Sequence, residues 1–306
     1  MPLPYQWQYR LDRWKATLQG FFGSGRQPPR PQICPNCGSL VGINATRCHN
    51  CGTNLKFSMA AVNRSLSGIF SGPAPVTTAL LVANFLMFGV EWMASAAQGG
   101  GGGLSILWGM GGAPTYRLGL SAPYGIYVQH QWYRLITAMF LHGGLLHIGF
   151  NMYALMQLGP ALEELYGSSR YFFLYISTGA FGFLVSSIMG SYSLGASGGL
   201  LGLVGAMLAV TTKRGGAYMR QLRSQLISSV VFLLVLGFMG MGIDNKAHIA
   251  GLASGFLLGK IFPDRQPMNV RERQIAHALG WLAAIAVIAS FSLMILHYRD
   301  PLPGQA

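Results

Sequence analysis

Three separate apolar stretches of this chain each carry polar residues suited to acyl transfer. Ser197 stands in Gly195-Ala196-Ser197-Gly198-Gly199, at the head of the apolar run 200–210. His248 opens a second run, with Gly251 and Gly255 following at i+3 and i+7 on the same helical face. A third stretch holds His142, His147 and Asn151, the last two one turn apart and so on one face. An imidazole titrating near neutrality is the usual base for activating a serine hydroxyl. His147, Asn151 and the Ser197 amide at a helix start are the kind of donors that stabilise a developing oxyanion.

Each residue also has a plainer reading. Serine and glycine promote close helix packing in membranes, so Ser197 alone is ordinary. Gly195-x-Ser197-x-Gly199 matches the nucleophile elbow of soluble hydrolases, but no strand precedes it and that reading is rejected. His248 alone also reads as a satisfied structural histidine. His142 and His147, five residues apart, lie off one face and have no third partner for a metal. Asp244 precedes His248 by four residues, but Asp244-Asn245-Lys246 reads as a solvated turn. The pattern therefore predicts a Ser–His dyad, with no acid completing a triad.

The elements that must position these groups follow from composition. Of the 306 residues, 51% are hydrophobic and 9% charged, far from the roughly one-quarter charged of soluble domains. Seven apolar runs, near 76–94, 144–162, 170–189, 197–212, 224–242, 246–262 and 276–297, approach membrane-crossing length. The predicted class is an all-α polytopic membrane protein, in which the fourth and sixth spans are short. A loop over about 95–143 is too long to be a bare connector and is expected to be functional or partly embedded. With the N-terminus in the cytoplasm, 17 of the 21 Lys and Arg fall on the inner side, which predicts a C-terminus outside and Ser197 near the outer surface. The net charge of +13 reads as membrane orientation and attraction to anionic lipid headgroups, not as a nucleic-acid footprint.

Outside the spans, residues 1–30 form a basic, aromatic tail and 56–74 a Ser/Gly/Pro linker. Between them, in 31–55, Cys34-Pro-Asn-Cys37 and Cys48-His-Asn-Cys51 present two Cys-x-x-Cys turns, each followed by glycine. Together they fill a tetrahedral zinc shell and resemble a zinc ribbon or rubredoxin-like knuckle. Two disulfides are the competing reading, disfavoured by the cytoplasmic placement. Four ligands leave no open position, so a bound zinc is expected to be structural.

Taken jointly, the chemistry-bearing motifs over about 75–263 resemble the rhomboid intramembrane serine proteases. The resemblance rests on Gly195-Ala196-Ser197-Gly198, His248 with Gly251 and Gly255, His142-x4-His147-x3-Asn151, and Glu163-x3-Gly167. It implies a six-helix core, here extended by a seventh helix and short tail in 264–306. It also implies Ser197 as nucleophile, His248 as base, and His147, Asn151 and the Ser197 amide as oxyanion hole. His142 would support the water-accessible cavity from its rim, and Arg134 would be a structural residue of the first loop. Substrates would be transmembrane protein segments, cleaved without a catalytic cofactor in a bacterial cytoplasmic membrane, and the ribbon could dock a cytosolic protein. Two departures stand out: Trp132-Tyr133-Arg134 where the family usually has Trp-Arg, and Leu201 where many members place an aromatic residue against the base. Leu201 motivates the competing expectation of a catalytically weak or silent relative that binds transmembrane helices as an adaptor or chaperone.

Overall fold

The computed structural model describes residues 32–33, 39–42, 45–50, 74–98, 105–109, 111–240 and 242–304. The tail 1–30, the linker as far as residue 73, and Cys34, Cys37 and Cys51 lie outside them. The chain divides into two compact units, Met1–Pro75 and Val76–Ala306.

In the first unit, β1 (Gln32–Ile33) and β2 (Leu40–Val41) pair antiparallel, Gln32 opposite Val41 and Ile33 opposite Leu40. Cys34 and Cys37 come between β1 and β2 in the sequence. Cys48 is buried beside Val41 and Ala45. Its sulfur accepts the Asn50 amide at 3.4 Å.

The second unit is helical. Its long helices are α1 (Pro75–Ala96), α5 (Leu145–Tyr166), α6 (Ser168–Ile188), α7 (Ser197–Lys213), α8 (Ala217–Phe238), α9 (Asn245–Ile261) and α10 (Val270–Leu296). The loop after α1 carries α2 (Ser105–Trp108), α3 (Ala113–Arg117), a π turn at Tyr124–Val128, and α4 (Arg134–Thr137) running into a 3-10 turn, Ala138–Phe140. Among the described residues, α1, α6, α8 and α10 are long and apolar enough to cross a membrane alone. Arg134–Phe140 and α5, bent 93° to one another, pass the same test only when counted together as one broken span. The seven expected spans thus exist as helices, but not all are full crossings. Helices α7 and α9 have 17 residues each, or about 25 Å at 1.5 Å per residue.

Helix ends also depart from the apolar runs. Helix α8 begins at Ala217, seven residues before the expected 224, and includes Arg220 and Arg223. The backbone keeps its hydrogen bonds past the point where apolar residues cease. Hydropathy therefore marks the lipid-contacting part of a helix, not its length.

Helix α7 is the axis of the bundle, with twelve of its seventeen residues buried. Leu200, Leu203, Ala206 and Val210 join one core with Leu174, Tyr175 and Phe183 of α6, Met152 and Leu155 of α5, and Ala247 of α9. Helix α8 buries only Leu226 and Val230, which meet Leu201 and Val204. Helix α10 buries Ala276, Ala283, Ser290 and Met294, a stripe at helical spacing, and Phe291 meets Phe140 edge to face at 5.3 Å.

Candidate active site

Ser197 is the first residue of α7, and Ala196 before it makes no side-chain cap, so the first-turn amides have no capping side chain. Three bonds from the preceding loop set its position. Ser193 and Ser121 exchange backbone hydrogen bonds at 2.9 and 3.1 Å, and the Gly195 amide donates to the Ala138 carbonyl at 2.9 Å. The long first loop thus holds the approach to the serine. Gly195 has φ +115°, a region favouring glycine. A Cβ there would also sit 2.7 Å from His147 Nε2.

Helix α9 brings His248 to the serine. Asp244 caps it, accepting the Lys246 and Ala247 amides at 3.1 and 3.2 Å. Its other oxygen accepts from Ser186 Oγ on α6. The expected solvated turn is therefore a half-buried cap tied to α6, and Asp244 is no triad acid. His248 Nε2 and Ser197 Oγ are 2.7 Å apart. His248 Nδ1 is buried and makes no hydrogen bond among the described residues.

Glycines make this approach possible. A Cβ at Gly251 would fall against the Gly198 carbonyl, and one at Gly255 against that of Gly202. In the opposite sense, Gly205 lies against Leu252 and Phe256 of α9, where a Cβ would be 2.7 Å from the Phe256 nitrogen. The two small faces interlock backbone to backbone.

Helix α5 supplies His147 and Asn151. The Gly143 amide donates to His147 Nδ1 at 3.3 Å, so the neutral ring carries its proton on Nε2, the nitrogen facing Gly195. Asn151 Nδ2 donates to the His147 carbonyl at 3.0 Å, which leaves its second hydrogen free to bond another acceptor. Both donors lie against Gly195, two residues before Ser197. His142 packs edge to face with His147, ring centroids 5.2 Å apart. It is fully buried. Among the described residues, no group of three or more His, Cys, Asp or Glu is arranged to hold a metal.

The remaining expected residues brace the bundle. Arg134 is buried, donating to Gln131 Oε1 at 2.7 Å and to the Tyr116 and Leu120 carbonyls at 2.7 and 3.1 Å. Its guanidinium lies 4.1 Å from the Tyr116 ring centre. Tyr133 stacks with His297 beyond the end of α10, ring centres 5.8 Å apart. Glu163, at the far end of α5 from the dyad, accepts the Val76 and Thr77 amides at 2.9 and 2.8 Å, the Thr77 hydroxyl at 2.8 Å and the Ser168 hydroxyl at 2.7 Å. It ties the starts of α1 and α6 to the end of α5.

Glu91, on α1, was not among the expected site residues. It is fully buried. One oxygen accepts the His142 amide at 2.9 Å, the other the Thr115 hydroxyl at 2.8 Å. Its signal was a carboxylate within an apolar span, which is costly and usually functional.

Fold and site together define a class: a helical multi-span membrane protein with a Ser–His pair inside its helical bundle. Residues 129–265 match the family described as Rhomboid domain, so that stretch is similar to a rhomboid domain. It is 38% identical over 129 residues to the rhomboid protease GluP of Bacillus subtilis, covering 42% of this chain and 25% of that protein. It is 39% identical over 190 residues to RHOMBOID-like protein 6, mitochondrial, of Arabidopsis thaliana, covering 55% and 61%. It is 35% identical over 148 residues to rhomboid-type serine protease 2 of Emericella nidulans, covering 47% and 29%. The chain thus spans less than two thirds of each of these relatives.

Proposed function

We propose that the protein is an intramembrane serine endopeptidase acting on transmembrane segments of other proteins. The observation that carries this reading is the 2.7 Å Ser197–His248 contact inside a helical bundle. His248 Nε2 takes the Ser197 proton as Oγ attacks the scissile carbonyl. The oxyanion that forms is met by His147 Nε2–H, the free Asn151 N–H and the uncapped Ser197 amide. The protonated His248 then donates to the leaving amine, and water repeats the sequence on the acyl-enzyme. These steps need no cofactor.

Helix α7 is shorter than the roughly 30 Å hydrocarbon core. With the N-terminus cytoplasmic, as the distribution of Lys and Arg supports, its serine end lies below the outer surface and the C-terminus is outside. A substrate helix must unwind locally to present a peptide bond there. A bacterial cytoplasmic membrane fits this arrangement, and the basic N-terminal segment suits anionic lipid.

Cys34, Cys37, Cys48 and Cys51 would hold a structural zinc. A buried Cys48 sulfur accepting an amide from its own turn, beside a short hairpin bracketing Cys34 and Cys37, suits a thiolate ligand set. The module offers a docking surface for a cytosolic protein.

A fluorophosphonate probe tests the catalytic reading. The wild-type chain in liposomes is expected to label and to cleave a transmembrane substrate, and Ser197→Ala and His248→Ala to do neither. Cleavage that persists in Ser197→Ala refutes it. Substrate capture without any product in the wild type supports an adaptor instead.

A further inference from the structure

We propose that Glu91 is a positioning residue of this site, holding the His142–Gly144 turn so that its next amide fixes the tautomer and direction of His147. The inference rests on the protease reading above, because it assigns His147 to the oxyanion hole. Two neighbouring amides carry it. His142 N–H donates to Glu91 Oε2 at 2.9 Å, and Gly143 N–H, one peptide further on, donates to His147 Nδ1 at 3.3 Å. The first bond sets the plane of the turn from which the second is made. Gly144, with φ +155°, then enters α5 at Leu145, so His147 lies in the first turn of a helix whose entry Glu91 anchors.

The anchor itself is held. Thr115 Oγ1 donates to Glu91 Oε1 at 2.8 Å, and Thr115 sits on α3 in the first loop. That loop is fixed by Arg134 through the Tyr116 carbonyl. Glu91 therefore joins span α1, the first loop and the turn before α5. A carboxylate suits the junction because it offers two acceptors to two donors and has no hydrogen of its own to satisfy when ionised. A buried charge-accepting group is costly in an apolar span unless every contact is made, and both oxygens have a partner here. Without the carboxylate, the His142 amide loses its partner and the turn is free to rotate. The Gly143 amide then leaves His147 Nδ1, and the ring is free to place its proton on either nitrogen.

The test uses the full chain in liposomes, comparing wild type, Glu91→Gln, Glu91→Asp and Glu91→Leu on a transmembrane substrate, with 15N shifts of the His147 ring as a second readout. Glu91→Leu is expected to lower kcat about 10- to 100-fold at unchanged KM. The His147 signals should change from a single Nε2-protonated form to a tautomer mixture. Glu91→Gln keeps an acceptor for the His142 amide and an amino group for the Thr115 oxygen, and is expected to stay within about threefold of wild type. Glu91→Asp, one methylene shorter, cannot reach both partners and serves if Glu91→Leu does not fold; it should lower kcat about tenfold. Wild-type kcat and an unaltered His147 spectrum in Glu91→Asp overturn the proposal. So does a kcat loss matched by Asn84→Leu, which removes a buried polar group from the same helix without touching the turn. If wild type neither cleaves nor labels, the protease reading fails, while the His147 spectrum still decides what Glu91 does.

Discussion

Gly251→Ala probes the contact on which the catalytic geometry depends. Gly251 is one turn beyond His248, and its Cα faces Gly198, the residue after the nucleophile. A Cβ at this position would press on the Gly198 carbonyl, lying 3.1 Å from its carbon and 3.5 Å from its Cα, with the oxygen nearer still. Neither side can yield by rotating a side chain, since both contacts are backbone. Ordinary carbon contacts of about 3.5–4.0 Å return only if α9 backs away from α7 by roughly 1 Å. The Ser197–His248 separation of 2.7 Å would then stretch beyond the roughly 3.2 Å limit of productive proton transfer. A displacement of this size costs about 100-fold in rate, and the overpacking about 1–3 kcal/mol of stability. Fluorophosphonate inactivation rates and kcat, each corrected for folded fraction by a thermal melt, separate the two effects. Gly89→Ala is the comparator, because a Cβ there meets nothing within 4 Å. A Gly251→Ala enzyme that inactivates at the wild-type rate would refute the claim that this glycine contact holds the dyad together.

Further perturbations address the donors, the inner brace and the ribbon. His147→Ala and Asn151→Ala should each lower kcat about 10²- to 10³-fold with little change in KM. The double variant should fall short of the product, since both donors serve one oxygen; single variants that change only KM would remove these residues from the oxyanion hole. Glu163→Ala leaves the Val76 and Thr77 amides and two hydroxyls without their acceptor. It should cost about 2–4 kcal/mol, read as a lower melting temperature, while kcat of the folded fraction stays near wild type; an unchanged melting temperature contradicts the bracing role. Metal analysis of the full chain should find one zinc, lost in Cys48→Ser. A metal-free chain with its cysteines paired as disulfides would overturn both the ribbon and the cytoplasmic placement of the N-terminus.

Small residues and histidines at helical spacing are legible because their partners lie on another helix with a matching period. Gly251 and Gly255 announce a close approach, and Gly198 and Gly202 announce where it is met. Glu163 is similarly readable, as an acid at the end of a span before a glycine. Asp244 was misread because capping is a local event decided by a distant one. Its sequence suits a turn, and only Ser186 on α6 makes that turn an ordered cap. The boundaries of α8 were misplaced because lipid, not the helix, dictates where apolar residues stop. The first loop was the least readable part. Its order comes from scattered hydrogen bonds across long separations, such as the pair between Ser121 and Ser193, Arg117 to the Tyr298 carbonyl at 2.9 Å and Gln131 to Asp300 at 2.7 Å. Tyr133 illustrates the point. Its departure from the family's Trp-Arg pattern has a physical partner in His297, beyond the end of the seventh helix, and that helix lies outside the six-helix core from which the pattern is drawn. Leu201 has one as well: it packs with Leu226 and Val230 of α8, so the position where many relatives place an aromatic residue is occupied here by an aliphatic contact between helices. The departures and the added helix are therefore coupled at Tyr133 and separate at Leu201, and only the first concerns the scaffold that carries the approach to Ser197.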